Sequence, residues 1–310
     1  MKNIVVIGGG HGLSIIFKGI KNLKNANVTA IVTVADDGGS TGRIREYYNI
    51  PAMGDIRNVL VALSNGDPVI NELMSYRFEG SDKKDIVGHS LGNLILTALT
   101  QMYGSMEKSI ETVSDMLKVN GTVLPSSFEI ITLYARMDDD TIVKGEANIP
   151  SFNHHINEVF YDHPVMANPK AVEAIMNADL VVYGVGSLYT SICANTIIDG
   201  IREALENTKA KRVYFANCMT QNNETFDYDL KMHVEALKRH GAVIDEVIQH
   251  NDKIPEEILK KYRKTNSIEV VDNNNVKEKV IKRKLLDFKD GLIRHDPKKI
   301  KKVIMELLGD

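Results

Sequence analysis

The sequence has few cysteines and no long apolar run. Only two of its 310 residues are cysteine, and no Cys-x-x-Cys or Cys/His ligand spacing surrounds Cys193 or Cys218. This excludes a disulfide framework and a cysteine-based zinc site, and it predicts buried thiols in a reducing compartment. No apolar stretch approaches the roughly 18–20 residues of a membrane span. The first residues carry no signal-peptide pattern, so we expect a cytoplasmic protein.

The chain also lacks an excess of charge of either sign. Its formal net charge is −3, and 43% of its residues are hydrophobic, as in ordinary globular proteins. A chain with this charge balance has no general affinity for nucleic acid, so we expect no nucleic-acid partner. The sequence leaves open whether the protein forms a homo-oligomer.

Short β-branched segments alternate with segments of helical periodicity. Residues 3–7 and 28–35 read as buried strands, and residues 13–23 between them repeat their apolar positions every three to four residues. This is the pattern of a βαβ unit. Further strands are predicted at 180–183, 212–217 and 242–248. Further helices are predicted at 55–63, 68–78, 90–101, 107–117, 170–177, 190–201, 228–240 and 298–308. The alternation predicts an α/β fold with a doubly wound, mostly parallel sheet, helices on both faces and a helical middle segment.

One part of the chain breaks this alternation. Residues 130–136 and 141–149 flank the run Asp138-Asp139-Asp140, which is typical of a β-hairpin with an acidic turn. We interpret residues 120–160, approximately, as a β-hairpin insertion in a single domain that spans residues 1–310.

Glycine and small polar residues gather in the loops that follow the predicted strands and open the predicted helices. Ligands of open parallel sheets bind at this edge, and free N–H groups at helix starts favour anions. Several such loops at one edge predict a phosphate-bearing ligand. The candidate binding residues are Gly9, Gly10, His11, Gly12, Asp36, Asp37, Gly39, Ser40, Arg43, Asp55, Arg57, Asn93, Gly186, Ser187, Tyr189, Thr190, Asn217 and Thr220.

The first loop, VIGGGHGLS, differs from two familiar phosphate loops. Leu13 stands where the dinucleotide fingerprint G-x-G-x-x-G/A has its third small residue, which disfavours an NAD-dependent oxidoreductase. The chain has no GK[ST] sequence, which excludes a Walker A loop. His11 is interpreted as part of a backbone cradle rather than as a catalytic acid.

The acidic and basic side chains of these loops leave more than one role open. Asp36 and Asp37 are adjacent, so on an extended backbone only one faces the ligand and the other is free to cap the turn. Asp36 and Asp55 are candidate ligands for Mg²⁺, although Asp55 also fits a plain helix-start acid. Arg43 and Arg57 suit the neutralisation of phosphate, or a surface position.

Tyr189 suits stacking on a base or sugar, or core packing. No nucleophile constellation accompanies the loops, because neither a G-x-S-x-G elbow nor an HExxH site occurs. Binding is therefore favoured over catalysis.

Taken together, the motifs resemble those of the gluconeogenesis-factor family, the YvcK-type branch of the YvcK/CofD-like superfamily. In this chain His11 and Val185 stand where the family pattern has threonine and proline. The resemblance covers nearly the whole chain and is carried by VIGGGHGLS (6–14), VTVADDGGSTGRIR (32–45), MGDIRNVLVALS (53–64), HSLGNLILTAL (89–99), YGVGSLYTSI (183–192), MTQNNET (219–225), HVEALKRH (233–240) and DGLIRHDP (290–297).

The resemblance implies a cytoplasmic Rossmann-like protein that binds UDP-activated sugars, UDP-N-acetylglucosamine in particular. It implies a regulatory role in cell shape and envelope integrity during growth on gluconeogenic carbon sources. The sister branch, 2-phospho-L-lactate transferase, implies the alternative of a Mg²⁺-dependent transferase acting on a nucleotide-linked phosphate. The loop at 186–191 differs from the Pro-Ser-Asn-Pro type of that transferase.

Overall fold

In the computed structural model, which describes residues 1–80, 86–152 and 154–309, a seven-stranded sheet forms the centre of the molecule. All its pairings are parallel, and the strand order is β10-β9-β8-β7-β1-β2-β3. The inner strands are almost wholly apolar because helices cover both faces of the sheet. The strands are β1 (Lys2–Gly8), β2 (Ala26–Val32), β3 (Thr122–Pro125), β7 (Leu180–Tyr183), β8 (Lys211–Phe215), β9 (Glu246–His250) and β10 (Lys279–Arg283).

The helices begin where the sequence offers caps. Ser90 caps its helix by accepting from the backbone N–H of Asn93, and Asp296 caps the last helix, which then begins with a proline. The helices are α1 (Gly10–Ile20), α2 (Gly39–Tyr48), α3 (Gly54–Leu63), α4 (Pro68–Ser75), α5 (Leu91–Tyr103), α6 (Met106–Met116), α7 (Pro169–Met176), α8 (Ala194–Thr196), α9 (Asp199–Asn207), α10 (Leu230–Arg239), α11 (Glu256–Arg263) and α12 (Pro297–Leu308). No helix in the described ranges is both long and apolar enough to cross a membrane.

A small antiparallel sheet carries the acidic hairpin. Its strands are β4 (Leu133–Met137), β5 (Ile142–Lys144) and β6 (Ile156–Tyr161), in the order β5-β4-β6. The hairpin between β4 and β5 is the one that the sequence predicted, and β6 adds a third strand. A two-stranded antiparallel ribbon, β11 (Leu286–Asp287) with β12 (Arg294–His295), precedes α12.

The direction of chain progression reverses at β1. The chain passes from β1 to β2 on one side and returns later to place β7 on the other side, so the loops after β1 and β7 are neighbours. A Cβ atom added at Gly12 would lie 1.4 Å from the carbonyl oxygen of Val185. Only a glycine permits this contact between the two loops. Such a switch point is where open α/β sheets place their ligands.

The parallel, doubly wound sheet is confirmed, and so is the antiparallel hairpin, but several elements differ from the prediction. The structure also contains β3, β10, α2 and α11, which were not among the predicted elements. The single helix predicted for 190–201 is instead a π-helical segment, Leu188–Cys193, followed by α8 and α9. The chain kinks at Ile198, whose backbone is extended and precedes the first turn of α9.

Candidate ligand-binding site

A polar cleft of about 460 Å³ opens at the carboxyl edge of the sheet, at this switch point. Its walls come from the loops after β1, β2 and β7, from the starts of α3 and α5, and from the β5 hairpin. Twelve of the predicted binding residues line it: Gly10, His11, Gly12, Asp36, Gly39, Ser40, Asp55, Arg57, Asn93, Gly186, Ser187 and Thr190.

The first glycine loop lies against a carboxylate and a hydroxyl. The backbone N–H of Gly10 donates to the Asp55 carboxylate, and a Cβ at Gly10 would lie 2.5 Å from Asp55 Oδ1. A Cβ at Gly9 would lie 2.5 Å from Ser191 Oγ. Glycine is needed here because the loop backbone touches these groups directly. Gly9 itself does not line the cleft.

The two adjacent aspartates of the second loop point in different directions. Asp36 lines the cleft and accepts from the backbone N–H of Gly38 at 2.9 Å. Asp37 turns away and accepts from the backbone N–H of Ala147 at 2.9 Å. Asp37 therefore fastens the β5 hairpin to the loop, and this hairpin brings Glu146 into the cleft.

A buried network supports the first turn of α2. Ser40 Oγ lies 2.8 Å from His89 Nδ1, and Asn93 Nδ2 donates to Ser40 Oγ at 3.3 Å. Burial lowers the pKa of His89, and the nearby Arg43 and Arg77 lower it further. The lowered pKa favours the neutral imidazole, and either Ser40 Oγ or His89 Nδ1 is then the donor of this hydrogen bond.

Glu224 supports the loop after β7, which is the third of the glycine-rich loops and is called the third loop below. Its carboxylate is buried and accepts from the backbone N–H of Tyr189 at 2.9 Å and of Thr190 at 3.4 Å. The hydroxyl of Ser187 also donates to it. Glu224 lies in the MTQNNET motif, but no local pattern there indicates that its side chain reaches the loop after β7.

Three carboxylates line the cleft. Burial raises the pKa of Asp55 to about 6, and the charge of Asp36 adds to the increase against a lowering contribution from the Gly10 N–H. Burial raises the pKa of Glu146 to about 8, again with a contribution from Asp36. Burial and the charge of Asp36 thus favour the protonated forms of Asp55 and Glu146, and a bound cation would offset that effect.

Two arginines also line the cleft. Arg57, on α3, donates from Nη2 to Asn58 Oδ1 at 2.6 Å, and burial followed by the charge of Arg77 lowers its pKa. Arg77 follows α4, is exposed and donates to the carbonyl of Gly88. The lining of the cleft therefore combines cationic and acidic side chains, and Asp55 and Arg57 interact with each other.

Sequence reasoning missed Glu146 and Arg77. Glu146 follows Gly145, which has a φ of +96°, in a hairpin whose distance from the glycine loops is set by tertiary packing. Arg77 lies beyond the end of α4 and outside any loop that follows a strand. Neither residue carries a local signal that marks it as part of the cleft.

Tyr189 is a correction to the sequence analysis. Its side chain is fully buried, and its hydroxyl contacts Tyr228 Oη at 2.8 Å and donates to the carbonyl of Ile156 at 3.1 Å. The ring therefore belongs to the core, and it cannot stack on a ligand in this conformation. Core packing, the other role considered for Tyr189, is the one observed.

Three further candidates lie outside the cleft. Asn217 donates to the carbonyl of Gly186 at 2.7 Å and so braces the third loop. Arg43 donates to the carbonyl of Val87 at 2.6 Å, beside the cleft. Thr220 is buried and its hydroxyl accepts from the backbone N–H of Ile268 at 2.9 Å. The structure gives these residues supporting contacts with the protein rather than a place on the wall.

Asp36 and Asp55 bring carboxylate oxygens into the cleft, which are ligands of the kind that Mg²⁺ takes in proteins. Mg²⁺ in proteins commonly takes one or two carboxylates together with phosphate oxygens and water. Among the described residues, the group of three side chains whose ligand atoms lie close enough to hold an ion is instead Asp138, Asp139 and His154. That group is exposed on the acidic hairpin, where His154 pairs with both aspartates. Among the described residues, the cleft carboxylates do not form a group of this kind.

A larger cavity of about 920 Å³ lies elsewhere, beside β6 and α9. Its lining includes Phe160, Arg202 and Arg239 and none of the glycine loops. We place the candidate site in the smaller cleft because backbone N–H groups, carboxylates and arginines converge there. The larger volume of the other cavity does not by itself supply these groups.

The fold and the cleft define a class: an α/β protein of doubly wound topology with a polar, glycine-lined site at the switch point of its sheet. The family described as "CofD: 2-phospho-L-lactate transferase CofD" matches residues 4–287. The chain belongs to this CofD/YvcK family.

Relatives of known name cover the same length. The chain is 40% identical to "Gluconeogenesis factor" of Bacillus subtilis, with 99% of this chain and 98% of that protein covered. It is 41% identical to the protein of that name from Listeria innocua, over 98% of this chain and 95% of the other. A crystal structure of a member of the UPF0052 family from Bacillus halodurans is similar, with a TM-score of 0.94 and 39% identity, over 98% of this chain and 100% of that one.

Proposed function

We propose that this chain binds a UDP-activated sugar, UDP-N-acetylglucosamine in particular, in the cleft at the switch point. The observation that carries the proposal is that one cleft is lined both by cationic side chains, Arg57 and Arg77, and by acidic side chains, Asp36, Asp55 and Glu146. A nucleotide sugar matches both, because its diphosphate is anionic and its sugar is rich in hydroxyl donors.

The chain acts in this proposal as a regulatory protein of the cytoplasm rather than as a catalyst. The names of its relatives support a role in gluconeogenesis, and the resemblance of the motifs supports a role in cell shape and envelope integrity on gluconeogenic carbon sources. The chemistry of the thiols agrees with binding, since burial raises the pKa of Cys218 to about 12 and that of Cys193 well above its usual range. Neither thiol is then available as a nucleophile.

The alternative is a Mg²⁺-dependent transferase that acts on a nucleotide-linked phosphate. The description of the family supports it, and so do the carboxylates of Asp36 and Asp55 beside the glycine loops. A bound Mg²⁺ would neutralise the charge of a diphosphate and polarise its phosphoryl oxygens. In that case the arginines would hold the nucleotide, and the carboxylates would orient an acceptor hydroxyl.

The packing of Leu13 argues against the NAD alternative. Its side chain is fully buried, and its Cδ2 lies 3.3 Å from a Cβ placed at Gly8 and 3.0 Å from one placed at Gly184. A leucine therefore fills the space where the dinucleotide fold brings helix and strand together over a small residue.

Thermal unfolding with a nucleotide panel tests the binding proposal. A ligand present at 100 times its Kd adds about 2.7 kcal/mol to the free energy of unfolding, which raises the Tm by several degrees. We expect this shift with UDP-N-acetylglucosamine and a smaller one with UDP. The proposal is wrong if NAD or GDP raises the Tm and UDP-N-acetylglucosamine does not.

Turnover separates the regulator from the transferase. The protein is incubated for hours with Mg²⁺, UDP-N-acetylglucosamine and a set of hydroxyl-bearing acceptors, and the nucleotide products are resolved by chromatography. The regulator predicts that the nucleotide sugar is recovered intact. Release of UDP or UMP that requires Mg²⁺ and is lost in Asp36→Asn would establish the transferase instead.

A further inference from the structure

Three glycine-bordered helical turns open at this edge of the sheet. In two of them a carboxylate of the protein itself accepts hydrogen bonds from the backbone N–H groups of the turn. At the π-helical segment Leu188–Cys193, the backbone N–H groups of Tyr189 and Thr190 donate to the buried carboxylate of Glu224. These are the donors that a phosphate would need at that turn. The third loop therefore has an internal anion in place.

A carboxylate also accepts a hydrogen bond from the first turn of α1. The backbone N–H of Gly10 donates to the carboxylate of Asp55, which lies directly against the glycines of this turn. A phosphate placed there would meet a carboxylate at close range. The backbone of Gly12, in the same turn, is covered by the carbonyl of Val185.

Among the described residues, no carboxylate accepts from the N–H groups of Gly39, Ser40 or Thr41 in the first turn of α2. Its N-cap is Gly38, which has no side chain to cap the helix, and Asp36 accepts from the N–H of Gly38 before the helix begins. The N–H groups of Gly39, Ser40 and Thr41 occupy the first turn, and all three residues line the cleft. A helix start left open in this way attracts an anion.

Two buried side chains beside this turn have polar atoms that find no partner among the described residues. Asn93 is 2% exposed and contacts Ser40 through Nδ2, while its Oδ1 is unpaired. Arg57 is 8% exposed and its Nε is unpaired. An unpaired buried donor or acceptor is costly, so a ligand that supplies both partners gains affinity from each. A phosphate next to a hydroxyl supplies both.

We propose that the phosphates of the bound ligand lie on the first turn of α2, between Arg57 and Arg77, and not on the glycine turn of α1. This inference rests on the proposed function for the identity of the ligand. Arg57 Nε donates to a phosphate oxygen, Arg77 adds a second cation from the exposed side, and Asn93 Oδ1 accepts from a hydroxyl adjoining the diphosphate. The glycines of α1 shape the floor of the cleft and hold Asp55.

A pair of charge-matched variants tests the placement. Arg77→Gln removes one positive charge at the α2 end of the cleft, and Arg263→Gln removes one at an exposed position on α11, outside the cleft, so both lower the net charge by one. Affinities for UDP-N-acetylglucosamine, UDP, inorganic pyrophosphate and uridine are measured by calorimetric titration at several salt concentrations. Thermal unfolding without ligand checks that each variant is folded.

We expect Arg77→Gln to weaken UDP, UDP-N-acetylglucosamine and pyrophosphate by about tenfold each, with a smaller salt dependence and unchanged affinity for uridine. Arg263→Gln should change these affinities by less than about twofold. The reverse ranking, or equal losses in both variants, would overturn the placement.

A failure of the proposed function can be distinguished from a failure of the phosphate placement. If the natural chain binds UDP or pyrophosphate but not the nucleotide sugar, the sugar proposal fails and the two variants still decide where phosphate binds. If it binds none of the phosphate compounds, the placement is overturned together with the function.

Discussion

Gly12 is the residue at which the two central loops of the cleft meet. An added Cβ would lie 1.4 Å from the carbonyl oxygen of Val185, and the obstacle is backbone, so it cannot rotate away. Gly38, in the neighbouring loop, has a φ of −87° and would place its Cβ at ordinary contact distance, 3.4 Å, from its nearest neighbours. A side chain at position 12 would therefore require the backbone to move, whereas one at position 38 would not.

We predict that Gly12→Ala lowers the free energy of unfolding by at least about 3 kcal/mol, because the loops must separate to admit the methyl group. Gly38→Ala is the matched control and should cost less than about 1 kcal/mol. Urea denaturation of both variants measures the difference. Equal stability of the two would mean that the contact between the loops is not required.

At the residue scale, the kinds of side chain that form the cleft were easier to predict than the individual residues that line it. Asp36 and Ser40 follow a strand and precede a helix, so their position near the edge of the sheet follows from local sequence. Tyr189 follows the same rule, yet the ring turns into the core, because side-chain direction within an irregular helical segment depends on packing. Glu146 reaches the cleft only because Asp37 fastens the hairpin, a contact across 110 residues of sequence.

At the scale of elements, the segment between β8 and α10 determines the shape of the third loop. Glu224 in this segment accepts two backbone N–H groups and the Ser187 hydroxyl at once. A glutamine has the same size, but its amide group places N–H donors where the loop also presents donors.

We therefore predict that Glu224→Gln lowers the free energy of unfolding by about 2–3 kcal/mol and weakens nucleotide-sugar binding. Glu256→Gln, at an exposed position on α11, is the matched control and should change stability by less than about 0.5 kcal/mol. A double-mutant cycle with Ser187→Ala, read out as ligand affinity, should give less than additive losses. Additive losses would show that Glu224 does not act through Ser187.

The elements that the sequence identified are those with strong periodicity or strong caps. The strands β1 and β7 are short apolar runs bounded by glycine, and α12 begins at Asp296-Pro297. The missed elements lack these signals. Strand β10 is mostly half-buried to exposed at the edge of the sheet, and α2 has only four buried residues among its ten. Their structure depends on the neighbouring elements that they pair with or pack against, and not on a strong local pattern.

At the scale of the whole molecule, buried histidines link stability to pH. Burial lowers the pKa of His233 and of His295 to about 4 in the folded chain. In the unfolded chain a histidine takes up its proton near pH 6.5. Between these values the unfolded state binds more protons, so the free energy of unfolding falls as the pH is lowered from about 6.5 to 4.

We predict a loss of stability in this pH window that approaches 1.4 kcal/mol per pH unit for each of the two histidines. His233→Gln should make the decline shallower. His163→Gln provides a contrast of opposite sign, since a hydrogen bond to Asp162 raises the pKa of His163 and its contribution is lost as the pH rises. Urea denaturation from pH 7 to pH 5 measures the slopes, and an unchanged slope in His233→Gln would contradict the assignment.

The class of the whole fold followed from the order of strands and helices along the chain. The strand order did not, since the place of β3 beyond β2 and of β7 beside β1 depends on which buried surfaces pair across more than 80 residues. The switch point, and with it the cleft, became visible only when β1 and β7 were neighbours.

A crystal structure of the protein grown with UDP-N-acetylglucosamine and Mg²⁺ tests the central claim most directly. The account predicts one intact nucleotide sugar in the cleft at the switch point, with its phosphates at Ser40, Arg57 and Arg77. A nucleotide sugar in the larger cavity beside Phe160, or cleaved products in the cleft, would contradict it.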